Sequence, residues 1–217
     1  MLVITAHAVA DTINFDDLNA AAGDIILDAI SPYDGFKWTN FSVYTTVPGF
    51  PGFNNGIFSP SNAAYSGGET FNNTLVPVVG KIQSDTLFDF NSAYLGAGYY
   101  NNLNVTVQGL LSGTVRFSQT VTVNTTGAQL FQFMFQGVSE VDVFASKTAM
   151  TTDPYACGSF NCTQFTLDDV SVIPSTSVAP EPSTIALFSV AALVLCAIRP
   201  LARRVFALLQ PCNRSHC

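Results

Sequence analysis

Over residues 11–173 apolar and polar positions alternate in short runs separated by turn residues, the pattern of half-buried antiparallel strands. Leu103-Asn104-Val105-Thr106-Val107-Gln108 alternates strictly, and within TVRFSQTVTV the residues Val115, Phe117, Val121 and Val123 share one face. In QLFQFMFQ, residues 129–136, Phe131, Phe133 and Phe135 take one side and Leu130 and Met134 the other, which predicts a strand covered on both faces. Runs at 138–146 and 164–173 complete the series, with Gly113 and Gly127 as punctuation. With no amphipathic helix longer than two turns, the reading is all-β: an antiparallel β-sandwich, jelly-roll-like, over 11–173.

Both ends break the alternation. Residues 1–10, MLVITAHAVA, are apolar and close on Ala8-Val9-Ala10, the small-x-small pattern of a signal-peptidase site, with polar Asp11 following. No Lys or Arg precedes the apolar run, so it reads as the remnant of a signal peptide; an ordinary first strand is the alternative. Residues 185–198, IALFSVAALVLCAI, carry no charge and follow a Pro/Ser/Thr-rich linker at 174–184. As a helix those residues span about 21 Å, short of the ~30 Å hydrocarbon core. The run is apolar on every face, which separates it from an amphipathic core helix, and Arg199, Arg203 and Arg204 behind it mark a cytoplasmic side. The helix and its basic cluster therefore occupy 185–204, and the strand-rich body lies outside the membrane.

Ala179-Pro180-Glu181-Pro182-Ser183-Thr184, the apolar helix and Arg203-Arg204, in that order, resemble the PEP-CTERM sorting signal of exported bacterial proteins. The resemblance covers about 26 residues. It implies export, recognition near Pro180, Glu181 and Pro182 by an exosortase-type processing enzyme, and a place at the cell surface or in an exopolysaccharide or biofilm matrix. Members of that family usually stop soon after the basic cluster, whereas here an atypical tail, 205–217, continues. The body is also similar to ectodomains found with that signal, through YDGFKWTNF at 33–41, FNNG at 53–56 and LDDVSV at 167–172. That similarity implies no assigned chemistry.

Charge narrows the partners. Ahead of Arg199 only Lys37, Lys81, Arg116 and Lys147 stand against all 15 acidic residues, a formal −11. Such a surface repels phosphate backbones and excludes nucleic acid as a partner. With His7 in the signal segment and His216 in the tail, no His remains in the body, so Ser-His-Asp and Cys-His catalytic arrangements are ruled out there. The expectation is a non-catalytic structural or adhesive protein, with a carbohydrate-binding module as the alternative.

Two acidic pairs share one local grammar, Phe15-Asp16-Asp17-Leu18 and Leu167-Asp168-Asp169-Val170. Residues three apart in a regular strand face opposite ways, so Leu167 and Val170 both reach a core only if the ladder is bulged between them. Asp16, Asp17, Asp168 and Asp169 offer hard oxygens for a structural Ca²⁺ fastening the chain ends; bonding to nearby backbone N–H groups is the alternative. Phe36, Trp38 and Tyr44 fall on one face of a single strand if it is unbroken, and core packing is the better reading of Trp38. Tyr99, Tyr100, Asn101 and Asn102 sit in a turn, where aromatics can stack on sugar rings and amides can bond hydroxyls. Cys157 and Cys162, in CGSFNC, are spaced for a short disulfide worth about 2 kcal/mol, and no second Cys or His pair accompanies them for zinc.

Overall fold

The computed structural model describes residues 10–67, 78–146 and 163–174, together with the backbone of 69–71 and 74–76. The chain divides into two compact units, Met1–Thr176 and Ser177–Cys217. Pro180, Glu181, Pro182, Arg203 and Arg204, the apolar run at 185–198, the first nine residues of the expected signal segment and the Cys157/Cys162 loop lie outside the described residues. Among the described residues no helix is long and apolar enough to cross a membrane.

The described part of the first unit is mostly antiparallel β-sheet, with two short helices and a 3-10 turn. In chain order it runs β1 (Asp11–Ile13), a 3-10 turn (Ala20–Ala22), β2 (Ile25–Ile26), α1 (Leu27–Ile30), β3 (Lys37–Thr39), β4 (Ser42–Tyr44) and α2 (Pro51–Gly56). There follow β5 (Ala63–Ser66), β6 (Glu69–Phe71), β7 (Thr74–Val76), β8 (Gly80–Ala97), β9 (Leu103–Leu111), β10 (Thr114–Val123), β11 (Gln129–Ser146) and β12 (Phe165–Pro174). The main sheet is ordered β10-β9-β11-β8-β12-β5-β4-β2, with β1 on β12 and β3 on β8; β6 and β7 form a separate hairpin.

Two 18-residue strands shape this sheet. The end of β8 at Lys81–Gln83 pairs with β3 and with Glu140–Asp142 of β11, while its second half pairs with β12 and with the first half of β11. Three register shifts in β11, with Met134 at φ 56° and Gly137 at φ 63°, bend the ladder so that one continuous sheet closes over one core. That core collects Phe15, Trp38, Phe41, Phe88, Phe90, Leu95, Val105, Val143 and Phe165, all fully buried. Trp38 is 1% exposed and its Nε1–H donates to Tyr33 O at 3.0 Å, so the core role expected of it holds. The peptide bond between Ser31 and Pro32, ahead of β3, is cis.

Three local expectations need correction. Phe36, Trp38 and Tyr44 do not share a strand: Asn40, at φ 59°, breaks the run, and β3 pairs with β8 whereas β4 pairs with β5. Val115 does not share the face of Phe117, because Arg116 is an extra residue opposite Gly109 and Leu110 and turns Val115 outward. The 129–136 strand is covered on one face only. Phe133 and Phe135 are buried, but Leu130 is 47% and Met134 60% exposed, since α2 caps the outer face over β5, β12 and the end of β8 and stops short of β11.

The predicted bulge in LDDV is present. Leu167 and Val170 both reach the core, Asp169 takes φ 44°, and the β12–β8 register shifts between Asp168 and Ser171. The first and last described strands are neighbours, with Asp11 opposite Val172 and Ile13 opposite Val170.

Candidate functional site

The outer face of β4, β5 and β12 carries a second, smaller apolar cluster of Tyr44, Phe53 and Ala63, roofed by α2. Pro51 starts this helix at its first turn, where a missing N–H costs nothing. Gly52 then lets the helix lie on the strand end: a Cβ there would fall 2.7 Å from Ala97 O and closer still to Gly98 O. Gly56 rests against Thr166 in the same way. Asn54 Oδ1 accepts the Val47 N–H at 2.7 Å and Tyr44 Oη donates to Phe53 O at 2.8 Å, so the segment before α2 is tied to it and the helix is tied to the sheet.

At the open edge of α2 lies a pocket of about 160 Å³ walled by Tyr44, Val47, Phe50, Phe53, Tyr65 and Tyr99, with Asp24 and Gln164 as its polar members. Tyr99 stands edge-on to Phe50 and Phe53, with ring centroids 5.5 and 5.1 Å apart, and Tyr65 meets Phe53 at 5.7 Å and 90°. Tyr65 Oη donates to Asp24 Oδ2 at 2.8 Å. The arrangement offers ring edges and faces to C–H groups, and a carboxylate, an amide and a phenol to hydroxyls. No Lys or Arg lines it.

Of the turn residues singled out by sequence, Tyr99 alone lines this pocket. Tyr100 is half-buried beside it in the chain. Asn101 Oδ1 accepts from Thr125 N and Oγ1 at 3.0 and 2.9 Å, and Asn102, at φ 56°, donates its N–H to Asn124 Oδ1. These amides fasten two loops together and so hold Tyr99 in place. Asp24, Phe50, Tyr65 and Gln164 were not foreseen. The signal available for Phe50 was its position between Pro48-Gly49 and Pro51-Gly52, two turn dipeptides around an aromatic.

The acidic pairs do different work from one another. Asp168 is completely buried, and its Oδ2 accepts the backbone N–H groups of Phe58 (2.8 Å) and Ser59 (2.9 Å). Its Oδ1 accepts from Asp169 N (2.8 Å) and Ser59 Oγ (3.2 Å). Burial pushes this carboxyl up to about 7, against the opposing pull of the Ser59, Phe58 and Asp169 N–H donors. The carboxyl thereby pins the segment after α2 to the sheet and sets Phe58 flat on Tyr94, their rings 13° from parallel. Asp16 Oδ1 accepts from Asn62 N, and Asp17 Oδ1 accepts from Tyr33 Oη at 2.6 Å. Asp169 is raised by burial and by the nearby Asp16 charge, with its bond to Ser59 opposing. Asp168 is thus engaged by backbone donors, Asp17 by the Tyr33 hydroxyl and Asp16 by the Asn62 N–H. Among the described residues no three His, Cys, Asp or Glu side chains are grouped to hold a metal ion.

A further carboxylate pair sits on the second half of β11. Lys81 Nζ donates to Glu140 Oε1 at 2.5 Å and lies 3.3 Å from Asp142 Oδ1, while Gln83 Nε2 donates to Glu140 Oε2. Burial, then the hydrogen bond with Glu140, pushes Asp142 up to about 6. Glu140 is also opposed by burial, but Lys81, Asp142 and Gln83 together hold it below its usual value. The two acids are next neighbours on one face of one strand and share a lysine, rather than facing each other across a cleft as a glycosidase pair does.

No protein-family model and no curated protein matches the chain. Among solved structures it is similar to a DUF4465 family protein from Bacteroides caccae (12% identity, TM-score 0.47, 77% of this chain and 100% of that one). It is also similar to a Stig cyclase, Fisc, from Fischerella sp. TAU (11%, 0.44, 76% and 97%). A third is a family 35 carbohydrate-binding module from Clostridium thermocellum (12%, 0.34, 77% and 100%). At that level of identity and superposition nothing about chemistry passes from them to this chain.

Proposed function

We propose that this chain is an exported, non-catalytic adhesive module whose jelly-roll-like β-sandwich binds a carbohydrate of the extracellular matrix in the pocket beside α2. The observation that carries the reading is the pocket's make-up: aromatic rings presented to one cavity together with Asp24, Gln164 and the Tyr65 hydroxyl, which is the chemistry a sugar ring needs on its C–H faces and its hydroxyls. Export and sorting rest on the order of features in the chain, from the Ala8-Val9-Ala10 site to the PEP tripeptide, apolar helix and Arg203-Arg204. An exosortase-type enzyme acting near Pro180–Pro182 would then leave the module in the envelope membrane through its helix or release it into the matrix.

A glycan array probed with the full-length chain, with and without Ca²⁺, tests the binding half of this reading. Binding to at least one saccharide class is expected, with loss of most of the signal in Tyr99→Ala and Phe50→Ala. An empty array under both conditions sinks it. Cell fractionation of a tagged chain preceded by a complete signal peptide tests the sorting half, and retention in the cytosol would refute it.

A further inference from the structure

The pocket beside α2 does not end at Tyr65 and Gln164. The same two residues form one wall of an adjoining cavity of about 470 Å³, otherwise lined by Ile26, Asp28, Asn40, Phe41, Ser42, Ser66, Gly67 and Val78. The first pocket, at about 160 Å³, has room for roughly five waters at ~30 Å³ each. It suits a single sugar ring and is too small for the ligands that occupy ordinary pockets of about 300–1,000 Å³. With its neighbour it reaches that range, and a ligand crossing the shared wall at Tyr65 and Gln164 would use the two as one groove along the β2–β4–β5 edge.

The second cavity has its own polar apparatus. Asp28 Oδ2 accepts the Asn40 N–H at 2.8 Å, and a carboxylate has acceptor capacity beyond one such bond. Ser42 lies opposite both Ile26 and Tyr65 in the ladder. Asp28 and Asn40 are exposed and Ser42 is half-buried, so a ligand in the cavity can reach all three. Neither cavity has a Lys or Arg in its lining, and each has one Asp, Asp24 in the first and Asp28 in the second. An anionic ligand would therefore meet two carboxylates and no compensating cation.

Building on the carbohydrate reading above, we infer that the groove takes an uncharged linear oligosaccharide of at least two sugar units, one in each cavity, and discriminates against acidic glycans. The unit beside α2 packs on Tyr99 and Phe50; the chain crosses Tyr65 and Gln164; the next unit sets its hydroxyls against Asp28, Asn40 and Ser42.

Isothermal titration of the full-length chain in a non-glycosidic detergent tests this. The probes are glucose-, galactose- and mannose-based mono-, di- and trisaccharides and their uronate-bearing counterparts. In the sugar series that binds, a trisaccharide should bind at least about tenfold more tightly than its monosaccharide. Its uronate counterpart should be at least about tenfold weaker at low salt, the gap narrowing as salt screens the carboxylates. Asp28→Asn keeps an acceptor for the Asn40 N–H and removes one of the two carboxylates; it should narrow the uronate gap at least about twofold and leave the monosaccharide unchanged. Affinity independent of chain length, equal binding of the uronate series, or a uronate gap indifferent to Asp28→Asn would overturn the inference while the carbohydrate reading stands. Failure of every saccharide to bind would overturn both.

Discussion

Asp168 is the residue whose loss should cost this fold most for its size. Replacement by Ala leaves the N–H groups of Phe58, Ser59 and Asp169 without their acceptor at a position that is itself completely buried. An unsatisfied buried donor costs about 1–3 kcal/mol. Because neighbouring losses are not additive and some relaxation follows, about 3–5 kcal/mol is expected for the three together. That is a large part of the ~5–15 kcal/mol that holds a typical domain folded. Asp168→Asn should cost about half as much: its amide oxygen can keep the two bonds at the Oδ2 position, while its NH₂ group then faces the Asp169 N–H. The assay is urea unfolding of the full-length chain followed by the fluorescence of Trp38, the one Trp in the sequence and a core residue. With a slope of about 2 kcal/mol per molar urea, Asp168→Ala should lower the midpoint by about 2 M and Asp168→Asn by about 1 M. A cost below about 1 kcal/mol for the Ala variant would refute the reasoning, since it would mean that the segment after α2 is held by something other than this carboxyl.

Three further outcomes follow from the same geometry. Gly52→Ala drives a Cβ into the carbonyl oxygens of Ala97 and Gly98, which cannot swing aside as a side chain would; a cost of about 2–3 kcal/mol with loss of saccharide binding is expected, whereas Gly127→Ala, with open space around it, should be neutral in the same melts. Asp169→Gly removes the strain of a non-glycine residue at φ 44° and should hold or raise the urea midpoint, by up to about 1 kcal/mol, and a loss above 1 kcal/mol would contradict this. Asp142, raised to about 6, and Asp168, raised to about 7, keep protons in the fold that the unfolded chain has released above pH ~4. Stability from both groups is therefore fully present below pH ~4 and is lost as pH rises through 6 and 7, so their contribution to the thermal midpoint falls between pH 4.5 and 8; Asp142→Asn should flatten that slope, and an unchanged slope would contradict the assignment.

The legibility of this protein divides along the range of the forces involved. Alternation is a property of neighbouring residues: Val105 and Val107 face inward because a strand has a period of two, and the same logic requires a bulge between Leu167 and Val170, which is there. Those readings needed no knowledge of partners. They failed where one inserted or left-handed residue shifts the period, at Arg116 and Asn40, because a bulge is stabilised by the strand opposite and leaves the apolar pattern unchanged. The candidate site was legible at one residue. Tyr99 stood out in its turn, but Asp24, Phe50, Tyr65 and Gln164 lie up to 140 positions apart in the chain and meet only because β5 pairs with both β4 and β12 and α2 lies across them. Sequence by itself determined an acidic, strand-built body, since composition and periodicity are local. The tertiary structure alone decided that Asp168 faces backbone donors in a closed site and that a pocket opens beside α2, because both depend on which distant segments share a surface.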